Sequence, residues 1–163
     1  MEPLFFELTE VLKQQKEVVK EMLTTAETQN EALRNVDVEA LNDALKQLTI
    51  QTQQMAKLDP EREELQRKLE NELGLNPGAS VKEMLEKAPV DIKIELKQVQ
   101  MELRKDFNKL QELNQLNKLL TKKAIQINSS IMKMYNPNDS QTYQGSGEVK
   151  SKDQSTKMLN KTV

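Results

Sequence analysis

The chain has 163 residues, 36% of them hydrophobic and only 3% aromatic, which is too little material for a thick globular core and points to a thin helical one. It contains no cysteine and no histidine, which removes disulfides, thiol catalysis, the common structural zinc sites and the usual general base. Net charge is −2, split into 18 acids against 11 bases over residues 1–89 and 8 against 13 over residues 90–163.

Glu, Gln, Lys, Leu and Met dominate, and these residues, none of them β-branched, favour helix over strand. The longest apolar run, Leu4-Phe5-Phe6, falls far short of the roughly 20 residues that span a bilayer. The amino terminus, Met-Glu-Pro, carries an acid where a secretory signal needs positive charge. The expectation is a cytoplasmic protein that is not membrane-embedded.

The first helix is predicted over about 3–35. Pro3 suits a first turn, and Leu4, Leu8, Val11, Val18, Met22 and Leu33 follow steps of three and four. A second stripe of Phe5, Leu12, Val19, Leu23 and Ala26 widens the apolar face, so more than one partner helix is implied. Around Asn35-Val36-Asp37 the pattern shifts, and Asp37 is placed to cap a new helix after a tight antiparallel turn.

The second helix, about 38–73, runs through Leu41, Leu45, Leu48, Thr52, Met55, Leu65, Leu69 and Leu73. Asp59-Pro60 in its middle reads either as a kink or as a restart of a rod that keeps one direction. Gly74 stops it, and Asn76-Pro77-Gly78 supplies turn chemistry. Ser80 and Glu83 have capping-box spacing for a short connector helix at about 80–87.

The third long helix, about 90–135, carries the strongest pattern. Alternating steps from Leu96 visit Val99, Leu103, Asp106, Leu110, Leu113, Asn117, Leu120, Ala124, Ile127, Ile131 and Met134, and only Asp106 and Asn117 are polar. Asn117 has the position from which a buried amide fixes register. Such a seam needs another helix against it, because left open it is a large apolar patch in water. At about 1.5 Å per residue the third long helix reaches roughly 70 Å against roughly 50 Å for each of the others, so its far end is expected to overhang and to receive a partner helix. The residues expected to bind there are Leu120, Ala124, Ile127, Ile131 and Met134. Met101, Met132, Met134 and Met158 suit an adaptable surface as well as ordinary filling.

Residues 136–163 are rich in Asn, Ser, Gly, Lys and Thr and are expected to form a disordered, flexible polar tail after a helical domain of residues 1–135. The fold class is therefore all-α: an elongated antiparallel coiled-coil bundle of three long helices, with a short linker helix and that tail. No catalytic set emerges. Glu61, Glu63 and Glu64 lack a calcium-loop pattern, Ser129 and Ser130 lack an activating base, and Gly145 and Gly147 stand in a polar tail with no strand before them. No cofactor, metal or enzyme activity is expected. Lys118, Lys122, Lys123 and Lys133 read as complements to a helix dipole rather than as a nucleic-acid patch, which is usually denser and carries aromatic platforms.

Two amphipathic helices, a linker helix and a long helix with a polar tail resemble the flagellar export chaperones of the FlgN type. Glu31-Ala32-Leu33 with Asp37 and Leu41 is similar to that family's first turn, and Glu61-Arg62 with Leu65, Leu69 and Gly74 to the close of its second helix. The stretch from Leu110 to Leu120, with Asn114 and Asn117, resembles the family's Asn-x-x-Asn-x-x-Leu segment. The resemblance implies a cytoplasmic chaperone that binds the C-terminal amphipathic helices of hook-filament junction proteins. It would prevent their premature assembly and deliver them to the type III export apparatus, with Tyr143 docking at the export gate. The expected state is a monomer or weak homodimer. The alternative is a structural coiled-coil oligomerisation or adaptor protein, without a secreted client, that uses the same seam on itself.

Overall fold

The structure is a computed structural model that describes residues 2–135. The expected flexible tail, residues 136–163, lies outside the described residues. Four helices occur among the described residues, with no strand: α1 Glu2–Asn35, α2 Val38–Leu73, α3 Val81–Glu86 and α4 Val90–Tyr135. These bounds agree with the sequence expectation, and the reason is that most ends carry local stop and start chemistry.

Asp37 caps α2, its carboxylate accepting from the Ala40 amide at 3.0 Å. Gly74 ends α2 in the left-handed conformation (φ 63°); its N–H donates to Asn71 O and that of Leu75 to Glu70 O, the paired bonds of a Schellman cap. Ser80 caps α3 by accepting from the Glu83 amide, and its hydroxyl donates to the Glu83 carboxylate at 3.0 Å. The connector is tied to α2 twice over. Buried Glu70 accepts from the Gly78 amide at 3.0 Å, and Lys87 Nζ donates to Leu73 O at 2.6 Å.

The α1–α2 turn departs from expectation in one respect. Val36 has φ 57°, a left-handed conformation rare for a β-branched side chain, while the Asp37 N–H closes on Ala32 O at 2.9 Å. At Asp59-Pro60 the chain does not restart. Helix α2 runs through Pro60, whose missing N–H leaves the local ladder one bond short.

The chain divides into two units at Lys123/Ala124. In the first, α1 and α2 pair antiparallel: Gln15 Nε2 donates to Asp59 Oδ1 at 2.7 Å, and Gln51 Nε2 donates to Thr25 Oγ1 at 3.0 Å. Helix α4 runs parallel to α1, since Lys13 meets Glu95 at 2.7 Å, Lys16 meets Glu102 at 3.1 Å and Asn30 meets Asn117 at 2.7 Å. The main core joins Phe5, Leu8 and Leu12 of α1, Leu65, Leu69 and Leu73 of α2, Met84 and Leu85 of α3, and Ile92, Leu96 and Val99 of α4. A smaller core farther along joins Val19, Ala26 and Leu110.

The first half of α2 corrects the expected stripe. Leu45 and Thr52 are exposed, and Ala44 and Gln51 are buried in their stead. Both registers obey steps of three and four. The observed one places a small side chain and a hydrogen-bonding amide toward α1, where Thr25 offers its hydroxyl.

Candidate binding surface on the last helix

Helix α4 is best followed along its seam. Leu96, Val99 and Leu110 are buried, while Leu103, Asp106 and Leu113 are half-buried. Asn117 is only 2% exposed and satisfies its amide completely: Oδ1 accepts from Asn30 Nδ2 at 2.7 Å, and Nδ2 donates to Ala26 O at 2.9 Å and Gln29 Oε1 at 3.0 Å. This network fixes the register of α1 against α4, the role its seam position predicts. The Asn30 half of the pair escaped the sequence reading, because Asn30, though in register one turn after Ala26, is polar and its partner is distant along the chain.

Beyond Asn117 the burial changes. Leu120 is half-buried, and every residue from Thr121 to Tyr135 is exposed. Of the expected binding residues, Ala124, Ile127, Ile131 and Met134 are therefore all exposed, with Ile127 at 60% and Met134 at 82%. With 3.6 residues per turn, Leu120, Ala124, Ile127, Ile131 and Met134 share a strip about 100° wide. Ile125 and Met132, exposed at 63% and 66%, form a second, shorter strip across Thr121 and Asn128. Tyr143 lies outside the described residues, so its expected docking role has no geometry here.

These side chains hold no nucleophile, metal set or titrating pair. What the surface offers is apolar area that a second amphipathic helix would cover, at about 1.5–3 kcal/mol for each large aliphatic side chain fully buried. A separate shallow cleft of about 460 Å³ lies beside Met22, Phe107, Leu110, Asn114 and Lys118, all within the first unit. Phe107 is off the seam and 56% exposed; the sequence reading passed over it, although a lone aromatic on a polar helix face marks it.

The ionic edge between α1 and α4 is half-buried. Glu10 and Glu95, both hydrogen-bonded to Lys13, raise its pKa above the ordinary lysine value. Gln98 first and Lys16 second donate to Glu102 and hold its carboxyl below the usual range.

No helix among the described residues is long and apolar enough to cross a membrane. No curated protein and no solved structure matches the chain significantly. A family model described as FlgN protein matches residues 1–151, nearly the whole chain. With its helix order and seam as described, the chain belongs to the FlgN family of flagellar export chaperones, a chaperone family rather than an enzyme family.

Proposed function

We propose that this chain is a cytoplasmic chaperone for hook-filament junction proteins, and that it holds their C-terminal amphipathic helices against Leu120, Ala124, Ile127, Ile131 and Met134. The observation that carries the reading is the exposure of this strip in a family of export chaperones. Past half-buried Leu120 the seam keeps its heptad spacing through a stretch whose side chains all face solvent. Covering the client's apolar stripe prevents premature assembly, and a contact of a few side chains is small enough to be given up at the type III export apparatus. Unbranched, polarizable Met132 and Met134 adapt to more than one client surface. Docking at the export gate through Tyr143 rests on the family resemblance.

Titration of the full chain with peptides of the junction-protein C-terminal helices, read by calorimetry, tests the proposal. Binding to the native chain and a loss of at least about tenfold in the Ile127→Asp and Ile131→Asp variants is the expected result. Unchanged affinity in both variants would move the site elsewhere.

A further inference from the structure

We propose that the helix taken up at the end of α4 is acidic along the margins of its apolar stripe. This rests on the reading that residues 120–134 receive a helix, and it names the chemistry of that helix. Glu112 is the last acid of α4, and from there to Tyr135 the helix carries four cations, Lys118, Lys122, Lys123 and Lys133. Their placement follows the apolar strips. Lys123 lies one turn before Ile127 on one margin, while Lys118 and Lys122 lie two turns and one turn before Ile125 on the other.

The first unit shows how this seam uses its margin. At the start of the seam the α4 margin is acidic and the covering helix is basic: Glu95 pairs with Lys13 at 2.7 Å and Glu102 with Lys16 at 3.1 Å. Glu95, Glu102, Lys109 and Lys123 occupy the same heptad position, so the margin is acidic at the start of the seam and basic along its later part, up to the exposed end. Among the described residues none of the four lysines has a carboxylate within ion-pair distance. A helix seated here as α1 is seated earlier would complement the margin with Glu or Asp where α1 carries lysines.

A second copy of this chain fits poorly, because pairing the two exposed ends would set lysine against lysine with no acid on either side. An anionic membrane also attracts an apolar, lysine-edged helix. The heptad register favours a helix, since the strip repeats the spacing that helices cover in the bundle.

Two synthetic amphipathic helices of about 20 residues, identical in their Leu and Ile stripe but edged with Glu in one and Lys in the other, distinguish these partners. Each is titrated into the full chain at low and high salt, beside vesicles of phosphatidylglycerol. The Glu-edged peptide is expected to bind about tenfold more tightly at low salt, with the preference shrinking at high salt. In the Lys118→Glu/Lys123→Glu variant, which alters exposed residues only, the preference should vanish or invert. Equal binding of both peptides, abolished by Ile127→Asp, would overturn the acidic partner and leave the helix-binding face standing. Failure of both peptides while junction-protein helices still bind would do the same. Failure of every helix would overturn both readings. Tighter capture by vesicles than by either peptide, lost in the double variant, would replace the acidic helix by a lipid surface.

Discussion

Replacing Asn117 by leucine tests whether the seam is held by an amide or merely tolerates one. The substitution removes three hydrogen bonds and leaves Asn30 Nδ2, on a side chain 9% exposed, facing an aliphatic group. A buried donor left without a partner costs about 1–3 kcal/mol, whereas replacing both partners by apolar groups is nearly neutral. Asn117→Leu should therefore destabilise by about 2 kcal/mol, which lowers the melting temperature by about 4–8 °C for a chain of this size. Asn30→Leu/Asn117→Leu should recover most of the loss. Urea unfolding of the two single variants and the double, followed by circular dichroism, closes the cycle, with an expected coupling on the order of 1–2 kcal/mol. A gain in stability from Asn117→Leu alone, or a double variant as unstable as the sum of the singles, would refute the role given to the amide pair.

Val36→Gly should stabilise the chain by about 0.5–1 kcal/mol, because relief of a left-handed valine, worth about 1–2 kcal/mol, exceeds the entropy that glycine adds to the unfolded chain. At 81% exposure Val36 forfeits little packing, and thermal melting reads the gain directly. Ile127→Asp and Ile131→Asp should leave the melting temperature within about 2 °C of the native chain while weakening client binding, since exposed substitutions rarely exceed about 0.5 kcal/mol. Acidification should weaken the α1–α4 edge. The folded-state pKa of Glu102 is lowered, so its contribution is present above its ordinary value of 4.5 and is lost as pH falls through the lowered one. Lys13 behaves oppositely: its pKa is raised above 10.5, so its contribution is present below that value and is lost as pH rises through the raised one. Melting curves across pH 3–6 should flatten in Glu102→Gln, and an unchanged pH profile in that variant would rule the pair out as a cause.

Helix ends were legible in the sequence wherever a side chain or a glycine closes them locally, as at Asp37, Gly74 and Ser80. The α4 seam was legible for a different reason, since its apolar steps stay in phase long enough to define one face. What the sequence concealed were choices made across the bundle. Ala44 and Gln51 displace Leu45 and Thr52 from the buried face because α1 presents a hydroxyl there, which local spacing in α2 cannot reveal. Gln15 and Asn30 are buried through partners 44 and 87 residues away. The left-handed Val36 was hidden because the turn lacks the glycine or asparagine that usually marks that conformation at its position. At the exposed end of α4, periodicity identified the apolar strip, while its occupant is a property of another molecule.

The uneven spread of the core has a kinetic consequence. All three long helices and the connector converge on the cluster around Phe5, Leu69, Met84 and Leu96, whereas three buried side chains, Val19, Ala26 and Leu110, form the cluster farther along. Opening of the bundle therefore begins at the α1–α2 turn and stops at the connector, where Glu70 and Lys87 tie the chain to itself. Amide protons near Ala44 should exchange with solvent orders of magnitude sooner than those near Leu69. The first unit then behaves as a clasp with one fixed end and one breathing end.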